Sequence, residues 1–303
     1  MVTSDALDFP GSIFYEPGFL ETASQIQQLD FKPVIVLENN RVVGIANYLI
    51  GGKKGVKIAA IPRLFQYFGP VVLIDDSQIY HRLIEPLGNL VDTAIFALTP
   101  EAGRNFNNGT WNAKKRLTYI LQPDTYDNLK KRCSKSSRRR VNQGMNSNII
   151  VNTILEFPRQ LYQASFSRQK AKPPIDIDTL STWAAKLAEL KLLTNYVAFV
   201  DSQQAAFISI LKYGKYAYIW LSGADTKYLH LGVNNYLTLK VGELLYNEGI
   251  LSIDMVGGDI ESIGEFKKSV GGVPAIHYQI EKDFNLKGKL YRMLMKIKAG
   301  LHG

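Results

Sequence analysis

Val34-Ile35-Val36-Leu37-Glu38-Asn39-Asn40-Arg41-Val42-Val43-Gly44-Ile45 has a counterpart further along the chain at a constant offset of 163 positions, Val197-Ala198-Phe199-Val200-Asp201-Ser202-Gln203-Gln204-Ala205-Ala206-Phe207-Ile208. In both copies four apolar residues precede an acid and two short polar residues, after which apolar residues resume. This is the pattern of a β-hairpin, with Asn or Ser and Gln at its tip. Its recurrence points to two similar halves.

The flanking segments extend the parallel. Each hairpin is followed by a strand-rich stretch and a glycine-containing break, Phe68-Gly69-Pro70 in the first half and Leu221-Ser222-Gly223 in the second. A helix is predicted after each break. The first spans 78–98, kinked or split at Pro86. The second is capped by Asn234 or Asn235, carries Leu237, Val241, Leu244 and Leu245 as its apolar stripe, and ends at Gly249. Leu251 to Val256 then reads as a strand ending in Gly257-Gly258. Strand, strand, strand, helix, strand is an α+β order with a mixed sheet. Helices are also predicted over 125–147, 156–171 and 178–193, the last behind Asp178 as cap. A break in periodicity at Asn146-Ser147-Asn148 sets the expected boundary near residue 150, giving domains 1–150 and 151–303.

The composition fits this division. At 303 residues the chain exceeds one ordinary core. Hydrophobic residues at 46% and charged residues at 21% exclude a disordered protein. The single cysteine, Cys133, excludes an internal disulfide and fits a reducing compartment. The N-terminal stretch does not read as a signal peptide, and no apolar run approaches the ~20 residues needed to span a bilayer. The expected location is cytoplasmic. The net charge of +9 is concentrated at Lys130–Arg140, where seven of eleven residues are cations. Such a run is either a solvated helix face or a site for a polyanion: tRNA, a nucleotide-sugar or acidic lipid.

With these elements in order, the chain resembles the GNAT superfamily, and four segments make it similar to the Fem-type aminoacyltransferases of the bacterial cell envelope. They are Phe68-Gly69-Pro70-Val71, the basic stretch Leu129 to Val151, Leu161 to Arg168, and Asp254-Met255-Val256-Gly257-Gly258 with Phe266-Lys267-Lys268 and Gly271-Gly272. The resemblance implies two tandem GNAT-type domains, each a mixed sheet flanked by helices. It also implies an N-acyltransferase that moves an acyl or aminoacyl group to an amine on an envelope or polysaccharide precursor. Two departures stand out. The long helical hairpin that Fem enzymes often insert in the second domain has no room here. The loop that would cradle CoA pyrophosphate, His230-Leu231-Gly232-Val233-Asn234-Asn235, has one glycine. The donor therefore stays open between acyl-CoA and aminoacyl-tRNA, as a co-substrate with no tightly bound cofactor.

Acyl transfer to an amine needs a neutral amine, an aligned carbonyl and stabilisation of the oxyanion. No Ser-His-Asp or Cys-His set is apparent, and four scattered histidines give no metal spacing. Direct transfer within a ternary complex is expected. Taken alone, Lys267 reads as a solvated helix lysine. The resemblance, in which a Phe-Lys pair is implicated in transfer, makes Phe266-Lys267 the catalytic candidate, with Lys267 facing the oxyanion. Asp254, at a strand end, either takes the amine proton or caps the turn that follows. Arg168 is the candidate for an acceptor phosphate or carboxylate, which guanidinium binds bidentately. Tyr67, Gly69, Trp220, Gly257 and Gly258 complete the expected substrate side. For Tyr67 and Trp220 core packing is the competing reading, and for Gly257 and Gly258 it is backbone geometry. Gly232, Asn234 and Asn235 form the expected donor side. An alternative from another class is a catalytically silent double-GNAT module that holds nucleic acid or anionic lipid through the 130–140 run.

Leu286 to Lys298 reads as an amphipathic helix, with Leu286, Leu290, Met293, Leu294 and Ile297 on one stripe. It would either dock its apolar side on the second domain or attach the protein peripherally to the inner membrane surface.

Overall fold

The computed structural model describes residues 12–53, 55–74, 77–100, 102, 111–168 and 170–300. The chain divides into two compact units, Met1–Arg116 with Ile276–Gly303, and Leu117–Ala275. It enters the second unit within one strand and leaves it within another.

In the first unit, α1 (Pro17–Gln27) starts at a proline behind Glu16, whose carboxylate accepts the Phe19 N–H at 2.6 Å. The hairpin follows as β1 (Asp30–Glu38) and β2 (Arg41–Lys53), paired antiparallel. Its tip residues Asn39 and Asn40 both have positive φ, the geometry of a two-residue turn that matches strand twist. β3 (Val56–Ala59) pairs with β2, and the short β4 (Pro70–Val72) lies against β2 as well. The helix expected over 78–98 is shorter. α2 spans Ser77–Ile84, Pro86 opens a 3-10 turn at Glu85–Asn89, and Thr93–Leu98 forms β5. Proline cannot donate the next helical hydrogen bond. The mostly buried Thr-Ala-Ile-Phe-Ala-Leu suits an interior strand, parallel to β3.

The second unit begins in β6 (Asn112–Leu121). The basic stretch is two helices, α3 (Tyr126–Arg132) and α4 (Lys135–Asn146), because Ser134 breaks the run and caps α4 by accepting the Ser137 N–H. β7 (Ile150–Ile154), α5 (Arg159–Arg168) and α6 (Ile177–Glu189) follow. Asp176, not Asp178, caps α6 through the Thr179 N–H at 2.8 Å. The second hairpin is β8 (Leu193–Val200) and β9 (Gln203–Tyr213), with positive φ at Asp201 and Ser202. Asn39 to Asp201 is 162 positions, one fewer than the aligned sequences suggest. β10 (Tyr216–Ala224), α7 (Val233–Asn247), β11 (Ser252–Asp254) and α8 (Glu261–Ser269) complete the unit. The chain returns through β12 (Val273–Asp283) to α9 (Leu286–Gly300).

The two units share one pairing scheme. β1, β2 and β3 pair antiparallel in turn, β5 joins parallel to β3, and β12 pairs antiparallel with β5. β8, β9 and β10 likewise pair antiparallel, β11 joins parallel to β10, and β6 pairs antiparallel with β11. β7 extends the second sheet beyond β8. The duplicated hairpin thus marks the start of a repeated five-strand arrangement.

The boundary differs from the one expected near residue 150. Leu129 of α3 and Val141 of α4 are fully buried in the same core as Leu237 and Val241 of α7. Residues 117–150 therefore belong to the second unit, and 276–303 belong to the first. The α9 helix is also docked differently from the expectation that its apolar stripe would pack on the second domain. It sits in the first unit, and that stripe is exposed.

Candidate active site

The parallel strands of the second unit create its cleft. β10 pairs with β11 only over Tyr216–Tyr218 against Ser252–Asp254. β10 continues to Ala224, whereas β11 stops at Asp254 and the chain turns away. The edge of β10 beyond Tyr218 is left open on that side, at the carboxyl ends of two parallel strands, where α/β folds open their crevices. A bulge at Trp220, which has no register partner between Ile219 and Leu221, bends this part of β10. The resulting cavity holds about 350 Å³ and is lined from six sides, one of them Phe207 and Ile208 of β9. α5 supplies Ser165 and Arg168, β10 supplies Ile219 to Ala224, and α7 supplies Asn234 and Thr238. Met255 and Val256 come from the turn, and Ile263, Phe266 and Lys267 from α8.

Lys267 is the cavity's distinctive group. It is 8% exposed, and its Nζ donates to the carbonyl oxygens of Val256 and Gly257. Burial pushes its ammonium down to about 8, while the Asp254 carboxylate acts in the opposite direction. Asp254, 5% exposed, accepts the Thr118 hydroxyl and, at 2.8 Å, the Val256 N–H. The turn after β11 is therefore clamped from both ends, by a carboxylate on its N–H and an ammonium on its carbonyls. Val256 has φ +51, a conformation that costs a side-chain-bearing residue about 1–2 kcal/mol. Such strain persists only where surroundings over-determine it, and it concentrates at functional sites.

The donor-side expectations separate. Asn234 lines the cavity. Asn235 is buried and donates to Ser137 Oγ at 3.0 Å, tying α7 to α4. Gly232, with φ +73, caps α7 in place of Asn234 or Asn235. A Cβ there would lie 2.2 Å from the Arg140 carbonyl oxygen. Only glycine allows this approach of α4 to the start of α7. The basic run itself is the outer face of α3 and α4, with Lys131, Lys135, Arg138, Arg139 and Arg140 exposed.

Residues 130–268 match the acetyltransferase (GNAT) domain family. The second unit carries a GNAT acetyltransferase domain. The chemistry of this GNAT unit is therefore acyl transfer. None of the curated proteins matches the chain in sequence. Among solved structures, the crystal structure of FemX is similar at a TM-score of 0.71 and 11% identity, over 93% of this chain and 94% of that one. The C-terminal domain of a putative lysylphosphatidylglycerol synthetase from Agrobacterium fabrum is similar at 0.58 and 13% identity, over 91% and 95%. A tandem GNAT protein from the clavulanic acid biosynthesis pathway is similar at 0.52 and 11% identity, over 88% of each chain. At these identities the likeness is one of fold, and that fold is the tandem GNAT arrangement.

Five of the residues singled out in the sequence line the GNAT cavity: Lys267, Phe266, Arg168, Trp220 and Asn234. Trp220 also packs edge-on against Trp183, with ring centroids 5.1 Å apart, so core packing accounts for much of its surface. Asp254 is absent from the lining and acts on the turn. Gly257 and Gly258 continue that turn, and Gly258 lies close against the Tyr119 ring. Tyr67 and Gly69 are elsewhere. Both belong to the first unit, where Tyr67 is 1% exposed and packs edge-on to His277, and Gly69 approaches Phe96 too closely to admit a Cβ. The sequence reading missed Ser165 and Thr238. Ser165 accepts the Ala224 N–H at 3.3 Å and fastens α5 to the end of β10. Its signal was available, one helical turn before Arg168 on the same face.

Proposed function

We propose that the cleft of the second unit transfers an acyl or aminoacyl group to an amine borne by a cell-envelope or polysaccharide precursor. The observation that carries this reading is the buried Lys267 ammonium on the cavity wall, with two of its three donors committed to Val256 and Gly257. The third remains for a carbonyl oxygen of the bound acyl group. The acceptor nitrogen bonds to the acyl carbon, and the bond from that carbon to the donor's ester oxygen or thioester sulfur breaks. The amine proton leaves to the departing group or to solvent. Negative charge that develops on the carbonyl oxygen meets a cation already fixed in place, so little reorganisation is needed.

In this reading Asp254 is a positioning residue, holding the turn that presents Lys267. Phe266 fills the apolar wall beside it, and Arg168 at the cavity edge grips a phosphate or carboxylate of the acceptor. The donor is either acyl-CoA or aminoacyl-tRNA. Two features favour the tRNA. α4 closes over the start of α7 where a pyrophosphate cradle would open, and its exposed arginines offer a surface for a polyanion. A lipid-linked acceptor and a peripheral position at the membrane fit the likeness to a putative lysylphosphatidylglycerol synthetase, whose name describes an amino acid carried by a lipid. A module that merely binds a polyanion has no use for a buried, depressed lysine, and its affinity would survive Lys267→Ala.

The test is native mass spectrometry of the purified chain with CoA thioesters and with charged tRNA, followed by transfer assays with the donor that binds. A stable complex with one donor class is expected. Binding of neither, under conditions where an acyltransferase control binds both, would overturn the reading.

A further inference from the structure

The α9 helix is docked with its polarity reversed. The usual amphipathic helix of a folded domain turns its apolar stripe inward. In α9 the inward side carries Tyr291 and Met295 beside a glycine contact and an ionic set. Gly288 lies so close to the Asp92 carbonyl oxygen that a Cβ would fall 2.0 Å from it. Asn285 donates to the Asp92 carboxylate at 2.8 Å, and Lys287 pairs with the same carboxylate at 3.3 Å. One turn further, Arg292 is nearly buried between Glu281 at 2.9 Å and Asp283 at 2.8 Å, and Lys296 also reaches Glu281.

On the opposite side Leu286, Leu290, Met293, Leu294 and Ile297 are 51–71% exposed. At 3.6 residues per turn these five occupy an arc of about 100°, centred opposite Gly288. Lys287 borders one edge of that arc, and Lys289 and Lys296 border the other; all three are exposed. No aspartate or glutamate occurs between Leu286 and Lys298.

We infer that this outward face of α9 is a docking surface for an anionic lipid bilayer, with the helix lying in the interface plane and its lysines at headgroup level. Charge and area decide between this occupant and a second copy of the chain. A symmetric pairing of two such faces would set one lysine rim against another. The strip, about 18 Å by 10 Å, is also far below the roughly 800 Å² per partner of a stable interface. An anionic bilayer satisfies both elements together, apolar side chains in the acyl boundary and lysines against lipid charge. Among the described residues no helix is long and apolar enough to cross a membrane, so the contact is peripheral. The inference rests on the first unit alone and is independent of what the second unit transfers.

The test is co-sedimentation of the full chain with vesicles of phosphatidylglycerol and phosphatidylcholine, against vesicles of phosphatidylcholine alone. Each lysine near an anionic surface adds up to about fivefold to binding, and because Lys287 and Lys296 also pair with Asp92 and Glu281, the anionic vesicles should bind about 5- to 100-fold more tightly. That advantage should shrink as salt rises. The Leu290→Ser/Leu294→Ser variant should lose binding while its circular dichroism and melting match the parent, because both positions are exposed. Absence of binding to anionic vesicles at low salt would overturn the inference, as would undiminished binding by that variant. A lipid-free dimer that the variant converts to monomer would overturn it in favour of a second copy.

Discussion

The Lys267 ammonium reaches back eleven residues to the carbonyl oxygen of Val256, a valine held in the left-handed conformation. The strained residue and the buried cation define each other's position. The αL geometry turns the Val256 carbonyl toward the lysine, and the lysine is one of the contacts that keep it there. Valine is poorly suited to this position, and glycine adopts it freely. Val256→Gly should therefore leave the unfolding free energy of the second unit unchanged or slightly higher, where valine to glycine in a regular element would lower it. Urea titration measures this, and a loss above about 1 kcal/mol would show that Val256 is not strained.

The depressed Lys267 gives the reaction a pH limit. If the ammonium stabilises the oxyanion, transfer must decline as pH rises through about 8, where Lys267 loses its proton. The acceptor amine works in the opposite sense at lower pH, so the profile should be bell-shaped with its descending limb near 8. A rate still climbing at about pH 9.5 would contradict this.

Stability should follow the same titration with a defined sign. Below about 8 the lysine is charged in both the folded and the unfolded chain, and the fold carries the full cost of burying it. Between about 8 and 10.5 the folded chain has released a proton that the unfolded chain keeps, so stability rises with pH across that window. The gain attributable to Lys267 is at most about 3 kcal/mol. It is read as the difference between the parent and Lys267→Met in denaturant titrations at the two ends of the window, and an equal pH response in both proteins would contradict it.

Gly232→Ala tests the junction of α4 and α7. The added Cβ would meet the Arg140 carbonyl oxygen at 2.2 Å, and φ is +73. Backbone cannot move aside as a side-chain tip can. The expected loss is about 2–4 kcal/mol, from the left-handed conformation and from overpacking together. A melting temperature equal to that of the parent would exclude the close approach.

Much of this architecture was legible because it is local. Both hairpins, the strand before Gly257-Gly258 and the helix behind Gly232 are written in runs of adjacent residues, where alternation and turn chemistry speak directly. What failed was non-local. Thr93–Leu98 is apolar at nearly every position, and such a run fits a buried strand and the tail of a helix equally well; only its pairing with β3 and β12 decides. The boundary was misplaced because the burial of Leu129 and Val141 depends on α7, some hundred residues away, and because the last strand returns to the first unit. At the site, Arg168 could be found as a residue type, whereas Phe266-Lys267 stands out only through the resemblance to the Fem-type enzymes. That Lys267 is buried and bound to two backbone carbonyls could not be found, since its partners are made by a turn whose φ no motif records.

The central claim is that Lys267 acts in the transfer step. Single-turnover rates of the parent and Lys267→Ala, measured with a bound donor and saturating acceptor amine, test it most directly. Loss of one preorganised donor to an oxyanion typically costs 10²–10³ in rate, or about 3–4 kcal/mol, with little effect on ground-state binding. A fall of about 100-fold or more, at near-parental acceptor affinity and with the fold intact by circular dichroism, is the predicted result. A variant that folds and transfers within about threefold of the parent would contradict the account and leave Lys267 as a clamp on the turn alone.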